Sequence, residues 1–297
     1  MNIITYYRPG IRVPQLVKRC TKRHFSLLRF PSFALRSAVA ALSDITPFIL
    51  TYNEEPNIER CLESVAWASQ ILVLDSGSTD ATDAIAARYP QVEFVERPFD
   101  CHSAQANFGL ELITTPWVLS LDADYVISPE LREEIALTMQ TADPGTVYFA
   151  PFKFRVSGKV LRTCFMPPRG ILYVRAGAVY DQDGHTQRLS LAGRRTAMLT
   201  NPIIHDDRKP LTRWLESQRK YAVLEAEKLA ATPKSELNLP DKLRATGWAA
   251  PVAIFPYALV VRGLFLDGLP GLLYAVERLY AEVILALHVL HRKMSKP

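Results

Sequence analysis

The stretch WVLSLDADYV, Trp117 to Val126, decides how this chain reads. Four of its first five residues are apolar, the pattern of a short strand buried on both faces. It then ends in two aspartates one residue apart, Asp122 and Asp124. On an extended chain that spacing lets both carboxylates point to the same face. Two like charges so placed repel and resist ionisation unless a cation offsets them. Oxygen ligands favour Mg²⁺ or Mn²⁺, ions that bridge to phosphate oxygens. A turn or helix cap made from the same pair is the plainer alternative, and the motif alone leaves both open.

Upstream segments repeat the device. ITPFILTY from Ile45, QILVLD from Gln70 and VEFVE from Val92 are short apolar runs, the first two followed by polar turns and helical patterns, to about Ala66 and about Tyr89. Apolar strands alternating with helices of about ten to fifteen residues predict an α/β fold. The expected core is a mainly parallel, Rossmann-like sheet with helices on both faces. Ligands of such sheets bind beyond the carboxyl ends of the strands. Those ends carry Thr51 and Asn53, then Asp75, then Asp122 and Asp124. After Pro144 the strands become irregular, in YFAPFKF, VLRTCF and ILYVR, and helices return from Pro210. Three regions are expected: a basic arm over 1–44, a catalytic domain over 45–209 and a helical region over 210–297.

The chain has 297 residues, 48% of them hydrophobic, enough for one large core. At 22% charged it is not a disordered chain. Its four cysteines form no CxxC pair, which points to a reducing compartment and no structural zinc. The net charge of +5 is uneven: residues 1–44 hold eight Lys or Arg against Asp44 alone, leaving 27 bases against 29 acids in the remainder. A basic arm on a near-neutral body argues against nucleic acid as partner, since a groove on the fold would carry the charge. Within the arm, Leu16, Val17, Cys20, Leu27 and Leu28 recur at helical spacing among bases, as in an amphipathic helix for an anionic membrane surface. A disordered leader and an organelle transit peptide are the alternatives.

Residues 249–266 are apolar but broken by Pro251, Pro256, Arg262 and Gly263, too short and interrupted to span a bilayer. A final helix from about Leu272 to Arg292 places Glu277, Ala281, His288 and Arg292 on one narrow face. That helix suits the membrane interface, or packing on the protein's own core or a second subunit.

Two further motifs accompany the aspartate pair. In LDSGSTDAT, Leu74 to Thr82, Ser78, Thr79 or Asp80 can cap the next helix, but Asp75 precedes the turn and is free to accept bonds from a base or ribose. In TYNEEPNIERCLES, Thr51 to Ser64, Pro56 opens a helix beside the same sheet edge. With TYNEE, DSGSTDAT, Asn107 in SAQANFG and WVLSLDAD in this order, the chain resembles a family 2 glycosyltransferase of the A-type nucleotide-sugar fold. Gly184-His185, PIIHDD, the Arg219-Lys220-Tyr221 helix and RGLFLDGLPGLLYA make it similar, more narrowly, to the bacterial lipopolysaccharide-core β-glucosyltransferase branch. The resemblance covers roughly residues 45 to 290.

That resemblance implies a nucleotide-sugar donor, a UDP-sugar foremost, and an inverting transfer to a glycan or lipid-linked acceptor, in lipopolysaccharide core or other cell-envelope synthesis. It implies Thr51, Tyr52, Asn53 and Glu54 near the nucleoside, Asp75 on the base, Asn107 in the donor site, and Asp122 at the ribose or metal. Asp124 would bind Mg²⁺ or Mn²⁺, with His205 near the diphosphate as a further ligand or as an ordinary hydrogen-bonded histidine. Three departures stand out: Ala106 where the branch carries a base, Tyr125 where an acid follows DAD, and Thr186 where His185 is followed by Glu. Arg169, Arg175 or Arg208 could supply the missing cation. For the base that takes the acceptor's proton, Asp183 in VYDQDGH comes first and Asp181 second, with a DxDG turn as the alternative. The expected location is cytoplasmic, peripheral on the inner face of the cell membrane. Two other readings compete: a haloacid-dehalogenase-like phosphatase using Asp122 in DADYV, and an inactive glycosyltransferase-like membrane adaptor.

Overall fold

The computed structural model describes residues 42–183 and 186–295. The basic amphipathic stretch from Leu16 to Leu28 and the Gly184-His185 pair lie outside the described residues. The first half runs β1 (Ile45–Thr51), α1 (Ile58–Val65), β2 (Ile71–Asp75), α2 (Thr82–Ala86), β3 (Val92–Glu96), α3 (His102–Leu112), β4 (Trp117–Asp122), β5 (Tyr125–Ile127) and α4 (Pro129–Met139). Then come β6 (Thr146–Ala150), β7 (Phe152–Val156), β8 (Lys159–Val160), β9 (Arg169–Val174), β10 (Tyr180–Asp183), β11 (Thr186–Leu189), β12 (Arg195–Met198) and β13 (Ile203–His205). Helices close the chain: α5 (Leu211–Ala231), α6 (Leu239–Thr246), α7 (Ala249–Pro256), a π turn (Tyr257–Val261), a 3₁₀ turn (Leu264–Asp267) and α8 (Leu269–Met294).

Seven strands form the main sheet in the order β12-β6-β9-β4-β1-β2-β3. It is mixed: β9 lies antiparallel between β4 and β6, and the other four pairings are parallel. The chain reaches β9 from the β7–β8 hairpin and not through a crossover helix, so nothing obliges it to run parallel. Alternation along β1 sets the two faces. Ile45 and Ile49 pack with Cys61, Leu62 and Val65 of α1 and with Leu131 and Ile135 of α4. Phe48 faces the other way, against Ala106 and Leu110 of α3. Gly109 makes that seat possible, because a Cβ there would collide with the Phe48 ring.

Local signals set several helix ends. Ser128 accepts a hydrogen bond from Leu131 N with Pro129 at the first position, starting α4. Asn238 caps α6 in the same way, and Gly247 at φ 86° ends it. The helix expected to run to about Tyr89 is a short one, Thr82–Ala86. Pro90 disfavours helical geometry at Tyr89, and burial of Thr82 and Ala86 holds only that single turn.

A second sheet, β5-β13-β7-β8, stands beside the carboxyl end of β4. It places His205 opposite Tyr125 on one side and Phe154 on the other. Helix α5 packs on α8 through Ala222, Ala226, Leu229, Leu285 and Val289. Helix α8 is apolar on both sides: Tyr274, Leu285 and Val289 are buried together with Arg278 and Glu282, while Leu269, Leu272, Leu273, Val276 and Leu287 are exposed. Among the described residues no helix is long and apolar enough to cross a membrane.

Candidate functional site

The carboxyl ends of β1, β2 and β4 meet the first residues after β13. The loop after β1 is stitched to the turn after β2. Asn53, at φ 54° in a region that asparagine tolerates, donates from its backbone N to Ser78 Oγ at 2.7 Å and accepts from Thr79 N at 2.7 Å. Glu54 N donates to Thr82 Oγ1 at 2.8 Å. Asp75, 2% exposed, is engaged on both oxygens. Its Oδ1 accepts from Thr51 Oγ1 at 2.8 Å and Ser78 Oγ at 2.5 Å, and its Oδ2 from Gly77 N at 2.9 Å and Ser78 N at 2.6 Å. Gly77, at φ 87°, supplies the left-handed residue that closes this turn. Asp75 thus shapes the rim, its acceptors already taken by its own loop.

The two aspartates of the central motif enter different surroundings. Asp122 turns to Arg169, whose Nη1 donates to Asp122 Oδ2 at 2.8 Å and to the Tyr125 hydroxyl at 3.1 Å. Burial alone would raise the Asp122 carboxyl, but the Arg169 guanidinium outweighs it and holds the group below the ordinary carboxylate range. Asp124, 1% exposed, has no hydrogen-bond partner on either oxygen. His205 Nε2, also without a partner, lies 3.6 Å from Asp124 Oδ2. The His205 ring is stacked on Phe154 at 4.3 Å and 17°. Burial pushes His205 down to about 4, so it is a neutral imidazole with a lone pair to offer. Burial likewise drives the Asp124 carboxyl well up; Lys209 pulls against that, and Asp207 and Glu54 reinforce it.

Lys209 completes the cluster. Its Nζ lies 2.7 Å from Glu54 Oε1, 3.5 Å from Asp207 Oδ1 and 3.8 Å from Asp124 Oδ2. Asn57 Nδ2 bridges Glu54 Oε2 and Asp207 Oδ1, each at 2.9 Å. Burial works to raise Asp207, but Lys209 and then His205 outweigh it and bring the group to about 2.

A buried carboxylate without donors, facing a neutral imidazole, fits a divalent ion that accepts mixed oxygen and nitrogen ligands, Mn²⁺ among them. Among the described residues no group of three or more His, Cys, Asp or Glu is placed to hold an ion, so other coordination positions would fall to water or a bound ligand.

The remaining site candidates lie around this centre. Tyr52 is 52% exposed. Arg213 of α5 donates to Tyr52 O at 2.5 Å and to Asn53 O, with its guanidinium 5.8 Å from the Tyr52 ring. Asn107 does not face the cluster: its side chain donates to Tyr180 O at 2.9 Å and accepts from Tyr180 N at 2.8 Å, clamping the β10–β11 hairpin to α3. That hairpin carries Asp181, exposed on β10, and Asp183, the last residue of β10. Ala106 is buried beneath the sheet against Phe48 and Leu72, a position with no opening for a basic side chain. Arg169, one of the cations named as its substitute, is the base that reaches Asp122.

Lys209, Asp207, Asn57 and Arg213 are absent from the sequence-derived site. The run HDDRK, His205 to Lys209, held two of them in view. Their partners, Glu54 and Asp124, come from loops far earlier in the chain.

Residues 48–184 match the model of glycosyl transferase family 2. Over 103 residues the chain is 32% identical to the lipopolysaccharide core biosynthesis glycosyltransferase LpsC of Rhizobium meliloti (strain 1021), covering 33% of this chain and 38% of that protein. It is 38% identical over 92 residues to an uncharacterized glycosyltransferase of Rickettsia conorii (strain ATCC VR-613 / Malish 7), covering 31% of this chain and 32% of that one. The chain thus spans about a third of the length of these relatives. The mannosyltransferase PcManGT from Pyrobaculum calidifontis, solved in complex with GDP-Man and Mn²⁺, has a TM-score of 0.50 at 16% identity, covering 89% of this chain and 94% of that one. At that identity the likeness is one of fold: an A-type glycosyltransferase architecture of mixed sheet and helices. Fold, motif order and matched span agree in direction: residues 48–184 of this chain are similar to a glycosyl transferase family 2 domain.

Proposed function

We propose that the chain is an inverting glycosyltransferase. It moves a sugar from a nucleotide-sugar donor, a UDP-sugar foremost, to a glycan or lipid-linked acceptor of the cell envelope, with lipopolysaccharide core the leading case. One observation carries this reading: the buried Asp124 carboxylate, without a hydrogen bond, faces the neutral His205 imidazole where the strands of a family 2 domain end. Asp124 and His205 would hold the divalent ion, which when bound neutralises charge on the leaving diphosphate.

The other steps belong to side chains. The Tyr52 ring offers a stacking face for the base, steadied by Arg213 on its backbone. Asp75 keeps the adjoining turn in shape through its four hydrogen bonds. Asp122, locked by Arg169, is an oriented acceptor for a ribose hydroxyl. The acceptor hydroxyl must sit in line behind the anomeric carbon and lose its proton to a carboxylate. Asp183 takes that role first and Asp181 second, and the Asn107 clamp fixes the hairpin that bears them. The phosphatase alternative would need Asp122 as a free nucleophile, whereas its carboxylate is paired with Arg169.

The same proposal seats the protein on the inner face of the cell membrane, peripherally. Its support is the apolar surface carried by Trp248, Val252, Val260, Val261, Phe265 and Leu269, each more than half exposed. Arg162 and Arg262 border it, suited to anionic lipid, as is the basic composition of residues 1–44.

A thermal-shift panel of nucleotide sugars, with and without Mn²⁺, tests donor class and ion need together. Stabilisation is expected from a UDP-sugar with Mn²⁺ present, by about 2.7 kcal/mol at a hundredfold excess over Kd. No response to any sugar nucleotide under either condition would defeat the proposal.

A further inference from the structure

Among the described residues, the Lys209 ammonium is the one that lies within 4 Å of Asp124, the carboxylate read above as the ion's ligand. Three carboxylates converge here, from Glu54, Asp124 and Asp207, and Lys209 Nζ reaches all three at 2.7, 3.8 and 3.5 Å. Its side chain is only 10% exposed. Carboxylates this close do not all ionise unless a cation sits among them. Among the described residues, the ion-pair partners of Asp124 are His205 and Lys209, and both approach the same oxygen, Oδ2.

We propose that Lys209 is the resident counter-ion of this pocket and competes with the divalent ion for Asp124. This rests on the reading of Asp124 and His205 as the ion's ligands. An ion held by Oδ2 and the imidazole would share its oxygen with the ammonium, two cations a few ångströms apart in a buried site. The ion therefore enters as the ammonium withdraws. Its carboxylate partners Glu54 and Asp207 keep other hydrogen bonds when it does. Asp207 Oδ1 keeps bonds from Asn57 Nδ2 at 2.9 Å and from Lys209 N at 3.1 Å, and Glu54 Oε2 keeps Asn57 Nδ2 at 2.9 Å. The backbone of Lys209 is held through that Asp207 bond, while its four-carbon stem can swing. The displaced ammonium then becomes available to the anionic diphosphate of the donor. Ion and donor are coupled as a result: each makes room, or supplies charge, for the other.

The test is Mn²⁺ binding measured by the paramagnetic resonance of free ion, on the full chain, for wild type and for Lys209→Met, Lys209→Gln, Lys209→Arg and Asp124→Asn. Without nucleotide, the Met and Gln variants should bind Mn²⁺ about tenfold more tightly than wild type, and the Arg variant about as weakly as wild type. Adding UDP should raise Mn²⁺ affinity at least about fivefold in wild type and by less in the Met and Gln variants. Met and Gln variants that bind Mn²⁺ no more tightly than wild type overturn the competition. Circular dichroism confirms folding; should Lys209→Met fail to fold, Lys209→Gln, which can still donate to Glu54, decides. Absence of any UDP effect on Mn²⁺ affinity in the wild-type protein overturns the proposal whatever the variants do. If Asp124→Asn binds Mn²⁺ as wild type does, the ion site itself is misplaced; if it loses Mn²⁺ while the Lys209 variants match wild type, only the role of Lys209 fails.

Discussion

Replacing Arg169 with Met separates the two halves of a pair on which the central motif depends. The guanidinium donates to Asp122 Oδ2 at 2.8 Å, and the two side chains are 24% and 22% exposed. Methionine keeps an apolar stem against the Tyr125 ring but leaves Asp122 without its cation. Removing one partner of a buried ion pair costs about 3–5 kcal/mol. With roughly a quarter of each side chain in water, about 2–3 kcal/mol is the expected loss. The sign with pH follows from Asp122. Burial pushes its carboxyl up and Arg169 brings it net below the ordinary range. A depressed carboxylate contributes stability that is present above its unfolded value, about 3.9, and is lost as pH falls through the folded value. Urea melts should therefore show the full deficit at pH 7 and a smaller one at about pH 3. The double variant Asp122→Asn with Arg169→Met should recover much of the loss, because no charge is left stranded. A single variant as stable as wild type at pH 7, or a deficit equal at both pH values, would show that the Arg169–Asp122 pair does not carry this stability.

Three further outcomes are expected. Asp183→Asn should lower turnover by about 10²–10⁴ while nucleotide-sugar binding by calorimetry persists; near wild-type turnover would remove Asp183 from the mechanism. Gly109→Ala should cost about 1–3 kcal/mol in a thermal melt, since the new methyl meets the Phe48 ring under β1, and an unchanged melt would contradict the close seat of α3. Val261→Ser with Phe265→Ser should reduce co-sedimentation with anionic liposomes without lowering transfer to a short soluble acceptor; undiminished co-sedimentation would argue against a membrane seat for that surface.

Strands β1, β2 and β4 were legible because each is an apolar run buried on both faces and cut off by polar residues at its carboxyl end. Helix α5 was legible for the opposite reason, a long propensity-rich segment bounded by Pro210. The reversed direction of β9 was not, because the apolar run ILYVR says that a strand forms and nothing about which neighbours it finds. Side-chain partners were the least legible. Asn107 and Asp75 are polar residues on the expected edge, yet both spend their hydrogen bonds within the protein, one on Tyr180 and one on the turn at Gly77. The pairing of Lys209 with Glu54 joins residues 155 apart in sequence, and only the second sheet, carrying His205 up to the end of β4, brings them together. The inward Glu282 of α8 follows the same logic, since Arg244 of α6 meets it with a nitrogen–oxygen distance of 2.6 Å.

In the proposed mechanism, Asp124 and His205 hold a divalent ion that grips the diphosphate of a sugar donor. The most direct test is a crystal structure with a UDP-sugar and Mn²⁺, read by the anomalous signal of manganese. One strong peak is expected within coordination distance of Asp124 Oδ2 and His205 Nε2, touching the diphosphate, with the uracil beside Tyr52. A bound donor whose diphosphate lies away from Asp124, or a manganese peak that leaves both side chains uncoordinated, would contradict it.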